Sequence, residues 1–139
     1  MNWILEPTCT QVEFIAFLKA MNISYQLSDE NPLNQMMAVH IHGHSWDSRL
    51  HKMTVFFKEG LLLRMMILLD GQVKLESLLG VATHQEMDWQ FWKYDHPRWS
   101  IESKARADTI QLECKYFDNA IAESILSSEY VEALYAKMA

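Results

Sequence analysis

Apolar residues recur in this chain first at helical and then at strand spacing. Val12, Ile15, Leu18 and Met21 fall about every third residue, the one-sided stripe of an amphipathic helix. Thr10 and Glu13 stand at capping-box spacing ahead of it, and Cys9 and Phe14 occupy the positions of a hydrophobic staple. Asn22 is the expected C-cap. Ile23, Tyr25 and Leu27 then alternate with polar neighbours, which predicts a short strand, and the turn-forming SDENPLNQ (28–35) predicts a loop. Alternation resumes over 37–44 and 53–58, and Glu59-Gly60 turns the chain into the apolar run 61–69. That run is apolar on both faces, so it reads as a central strand covered on both sides. Asp70-Gly71, followed by Val73 and Leu75, reads as a type I′ hairpin.

Residues 79–88 read as a loop or a single helical turn, with Thr83 and Glu86 again at capping-box spacing. Strands are expected over 89–95 and 99–103 around a turn at His96-Pro97. A polar turn at 104–108 leads into 109–117, where Ile110, Leu112, Cys114 and Tyr116 share one face. Asp118 or Asn119 is placed to cap a C-terminal helix carrying Ile121, Ile125, Val131, Leu134 and Met138. The order predicts a single α+β domain over 1–139. Its sheet is mainly antiparallel, of about six strands, with an N-terminal and a C-terminal helix packed on one face.

Composition agrees with a globular domain: 139 residues, 50% hydrophobic, 22% charged, only 4 Gly and 3 Pro. Cys9 and Cys114 belong to no metal-ligand spacing and point to a reducing compartment. MNWILEPTCTQVEF has no basic start and no long apolar run, so no signal peptide is expected there. The longest apolar stretch is broken by Arg64 and too short to span a bilayer. The expected location is the cytoplasm. The net charge of −6 argues against nucleic acid and anionic membrane, whose phosphates require Lys and Arg. It suits a basic partner, and it also serves plain solubility.

The stretch AVHIHGHSW (38–46) sets His40, His42 and His44 at every second position. On a strand, alternate side chains share a face about 7 Å apart and the outer two stand about 13 Å apart. His40 and His42 can therefore share an ion, and His44 joins them only if Gly43 bends the strand. Val39 and Ile41 face the other way, as core. A solvated outer sheet face is the plainer reading of the three imidazoles, and a metal-binding protein or metal-dependent hydrolase built on them is the alternative.

Other chemistry is sparse. Cys114 lies on an apparent core face, and Cys9 is better used as a staple. The sequence holds no GxSxG, HExxH or phosphate-cradling glycine loop, so neither a cofactor nor catalysis is expected. EMDWQFWKYDHPRW (86–99) holds three of the five tryptophans among acidic residues. Aromatic anchors ringed by charge are what protein interfaces use. Core packing of Trp92 and Tyr94 under the helices is the competing reading. The leading expectation is a non-enzymatic acidic protein-binding domain, similar in size and charge to bacterial immunity proteins that neutralise nuclease toxins. In it Glu86, Asp88 and Asp95 steer a basic protein partner while Trp92 and Tyr94 fill its pockets. Edge strands also give the chain a route to pair as a homodimer.

Overall fold

A computed structural model describes residues 3–31 and 36–119. Helix α1 (Gln11–Ala20) begins where the capping box places it: Thr10 Oγ1 accepts from the Glu13 N–H at 3.2 Å, and Glu13 Oε1 accepts from the Thr10 N–H at 3.1 Å. Its buried face is not the expected stripe. Phe14 and Leu18, one turn apart, are buried, whereas Val12 is 79% and Met21 50% exposed. A strict three-residue repeat drifts around a helix of 3.6 residues per turn, and the Phe14–Leu18 pair holds the register that faces the sheet. Met21 is the C-cap, and Asn22 takes the left-handed conformation that ends the helix, at φ 59°.

Strands β1 (Tyr25–Asn31), β2 (Met36–His42), β3 (Leu50–Lys58) and β4 (Leu61–Asp70) follow. A second helix, α2 (Leu75–Leu79), leads to β5 (His84–Glu86), β6 (Trp89–Asp95), β7 (Arg98–Ala105) and β8 (Thr109–Tyr116). All eight strands form one antiparallel sheet in the order β1-β2-β3-β4-β8-β7-β6-β5. Two four-stranded meanders, each preceded by a helix, are thus joined at their last strands.

This corrects the expected α+β domain of about six strands with a helix at each end. The sheet has eight strands, and the described helices are α1 and the five-residue α2. The helix expected over 121–138 lies outside the described residues. The Asp118 carboxylate accepts from the Arg98 N–H at 2.8 Å and pairs with the Arg98 guanidinium at 2.8 Å.

The hairpin expected at Asp70-Gly71 is absent. Asp70 Oδ1 accepts from the Gln72 N–H at 2.8 Å, closing a side-chain turn that delivers Val73 and Leu75 to the core as the entry to α2. Glycine is needed at 71 because a Cβ there would lie 2.9 Å from the Asp108 carbonyl. Leu75, Leu78 and Leu79 stand at helical i, i+3, i+4 spacing and pack on the core. Residues 79–88, expected as a loop or a single helical turn, instead include the edge strand β5, and the Thr83 N–H beside it donates to the Phe91 carbonyl at 2.8 Å.

One face of the sheet is the core. Val39, Val55, Met65, Cys114, Ile101 and Trp92 are successive cross-strand partners from β2 to β6, and all are buried. Each large side chain in such a row contributes about 1.5–3 kcal/mol through burial. α1, α2 and the N-terminal Trp3 and Ile4 belong to the same cluster. β4 is central as its composition implies, although Met66 and Leu68 on its outer face are only half-buried.

Candidate functional site

β6 and β7 meet at the tight turn Asp95–Arg98, so Tyr94 and Trp99 are direct cross-strand partners. Their rings stack at 4.3 Å and 16°, and Trp99 stacks in turn on Tyr116 of β8 at 5.2 Å and 8°. This three-ring ladder spans three strands on the core face. The buried Tyr116 hydroxyl donates to the Leu5 carbonyl at 2.8 Å, which holds the N-terminal segment across the ladder.

The consequence is a cleft of about 540 Å³. Its floor is the Tyr94–Trp99 stack, and Ile4, Pro7, Leu78 and Leu79 form its walls. Glu6, Lys93, Asp95 and His96 stand at its rim, with Lys93 Nζ 3.8 Å from Asp95 Oδ1. Burial pushes the Tyr94 phenol above its ordinary range, with the negative charge possible at Cys114 and Glu6 adding to the shift. A partly exposed aromatic stack in a cleft lined also by Glu6 and Asp95 is suited to a cationic group. Neither cysteine lines this cleft, and burial raises the pKa of both Cys9 and Cys114, which are free thiols.

The residues expected to form one acidic, aromatic face are divided. Trp92 is 2% exposed, with its indole N–H on the Gly80 carbonyl at 3.2 Å, so it belongs to the core and fills no partner pocket. Tyr94 and Asp95 line the cleft. Glu86 and Asp88 lie at the opposite end of β6, about 23 Å away by strand rise. There they edge a shallow hollow with Met87, Trp89, Lys104 and Arg106. Sequence reasoning missed Glu6, Leu78, Leu79, His96 and Trp99. A turn at His96-Pro97 implies the Tyr94–Trp99 pairing, but nothing local places Glu6 beside it.

His40, His42 and His44 also part company. β2 ends at His42, and Gly43–Ser45 forms a 3-10 turn. His40 Nδ1 lies 3.2 Å from Thr54 Oγ1, whereas His44 Nε2 lies 3.3 Å from His51 Nδ1. Gly43 does bend the chain, but it carries His44 to β3. Among the described residues no group of three or more His, Cys, Asp or Glu gathers to hold a metal ion. Nor, among them, is any helix long and apolar enough to cross a membrane.

Comparison with known protein families, with curated proteins and with solved structures finds no match to this chain.

Proposed function

We propose that this chain is a non-enzymatic acidic binding domain that holds, and thereby inhibits, a basic protein in the cytoplasm. The contact is centred on the β6–β7 cleft rather than along the whole of β6. A Lys or Arg side chain of the partner enters this cleft against Tyr94, the end ring of the ladder, and pairs with Glu6 and Asp95. The observation that carries this reading is the partly exposed Tyr94–Trp99 stack in a cleft whose lining includes Glu6 and Asp95. A cation over an aromatic face gains about 0.5–2 kcal/mol. The net charge of −6 adds long-range steering toward a basic partner.

The test separates a site from a general field. An arginine-rich peptide and a glutamate-rich peptide serve as fluorescence-anisotropy probes. The arginine-rich peptide alone should bind, less tightly as salt rises. Glu6→Gln with Asp95→Asn should weaken it roughly tenfold, while Glu86→Gln with Asp88→Asn, an equal change in charge, should leave it nearly unaltered. Equal losses from the two pairs would reduce the cleft to one more part of an acidic surface and end the proposal.

A further inference from the structure

His44 and His51 are separated by seven positions and meet through two backbone irregularities. The first is the 3-10 turn at Gly43–Ser45, pressed so closely on β3 that a Cβ at Gly43 would lie 2.3 Å from the Leu50 carbonyl oxygen. Ser45 Oγ fastens this turn by donating to the His42 carbonyl at 2.6 Å and accepting from the Ser24 N–H at 3.0 Å. The second is a register shift in β3 between Leu50 and Lys52, which makes His51 the extra residue of a bulge. Bulges re-aim side chains, and they are frequent beside functional sites.

The result is two imidazoles at the surface, His44 exposed and His51 partly so, with rings 5.3 Å apart and tilted by 52°. Their facing nitrogens, His44 Nε2 and His51 Nδ1, are 3.3 Å apart. A tetrahedral ion with Zn–N bonds of about 2.0–2.1 Å sets its ligand nitrogens about 3.3–3.4 Å apart. The separation therefore matches a shared ion as well as a direct hydrogen bond.

We propose that His44 Nε2 and His51 Nδ1 form a two-imidazole site for a borderline divalent transition-metal ion such as Zn²⁺ or Ni²⁺. Imidazole nitrogen selects this class over Mg²⁺ and Ca²⁺, which take oxygen ligands. Each neutral ring carries one proton, which occupies His44 Nδ1 and His51 Nε2 when the ion is bound. Water completes the coordination. Asp47 does not supply a third ligand, because its carboxylate is engaged by Arg49 Nε at 3.2 Å and Nη2 at 3.1 Å. His42 faces the Lys52 side of the sheet as that residue's cross-strand partner. The ion would tie the 3-10 turn to β3 and stabilise the fold by mass action.

Calorimetric titration of tag-free protein with Zn²⁺ tests the site. The expected result is one ion per chain, with a rise in melting temperature. His44→Ala and His51→Ala should each weaken binding by about a hundredfold, the loss of a chelating partner, and should abolish the thermal shift. His42→Ala and His84→Ala should change neither. In the unaltered protein, long-range ¹H–¹⁵N spectra should show Zn²⁺ perturbing His44 Nε2 and His51 Nδ1 while leaving the other four histidines in place. Absence of binding, binding retained in the His44→Ala/His51→Ala double variant, or an equal loss in His42→Ala would overturn the proposal.

Discussion

The hydroxyl of Tyr116 donates to the carbonyl of Leu5 at 2.8 Å, joining residues 111 positions apart and fixing the N-terminal segment over the aromatic ladder. The same oxygen lies 3.2 Å from Met65 Sδ. Tyr116→Phe keeps the ring and its stacking on Trp99 but leaves the Leu5 carbonyl without this donor. Urea unfolding should show a loss of about 1 kcal/mol. Hydrogen exchange should quicken in residues 3–9 before it does in β8. An unchanged exchange pattern would mean that the other contacts hold the segment, the burial of Trp3 and Ile4 and the bond from Asn119 Nδ2 to the Pro7 carbonyl among them.

The two cysteines should differ in reactivity. Cys114 is fully buried, and burial drives its thiol far above the ordinary range. Cys9 is partly exposed, with burial and the neighbouring Glu13 raising its pKa more modestly. An aromatic disulfide reagent at pH 8 should titrate one thiol per native chain, slowly, and two after denaturation. Fast reaction of both in the native protein would contradict the packing of β8.

Two glycines should both lose stability on substitution by alanine, for different reasons and by different amounts. Gly43→Ala places a methyl group against the Leu50 carbonyl, so the turn must move, at a cost of about 2–3 kcal/mol. Gly60→Ala meets nothing within 4 Å, but it strains a backbone at φ +82° and should cost about 1 kcal/mol. Thermal unfolding ranks the two. Zn²⁺ titration then shows whether Gly43→Ala also separates His44 from His51.

Acid should weaken the fold through Asp118 and Asp47. Burial pulls the Asp118 carboxyl upward, but the Arg98 backbone N–H and guanidinium outweigh it and hold the pKa below the usual value. Hydrogen bonds from the Arg49 side chain, then its backbone N–H, do the same for Asp47. A carboxyl depressed in the folded state stabilises it above the unfolded pKa of about 3.9 and loses that contribution as pH falls through the folded value. Asp118→Asn should therefore cost roughly 0.5–1 kcal/mol at pH 7, as expected for a partly exposed pair. The gap to the unaltered protein should close below about pH 4. A gap that persists at pH 2.5 would assign the effect to packing.

The parts of this fold legible in the sequence are those set by neighbouring residues. Thr10 and Glu13 mark the start of α1, and the alternation of Ile110, Leu112, Cys114 and Tyr116 gives the buried face of β8. Asp70-Gly71 misleads because an Asp side chain closes its own turn as readily as an Asp-Gly pair makes a hairpin, and only the position of Asp108 decides between them. Val73 and Leu75 fit strand spacing, yet Leu75, Leu78 and Leu79 fit a helix equally, and tertiary burial chooses the helix. Trp92 and Tyr94 lie on one face of β6, but one is covered by α2 and its following loop while the other opens on the cleft. The His44–His51 contact depends on a bulge whose position no local pattern announces.

The junction of β4 with β8 has a kinetic meaning. Every other strand pair in the described sheet joins neighbours in sequence, so each half can zip up from hairpins that close short loops. The β4–β8 pairing alone must bridge the 38 residues from Gly71 to Asp108. That closure, the longest in the described sheet, should be the slow step of folding, and until it occurs β4 and β8 each present an open edge. The seam at the centre of the native sheet is therefore where a half-folded chain is most open to pairing with a second copy of itself.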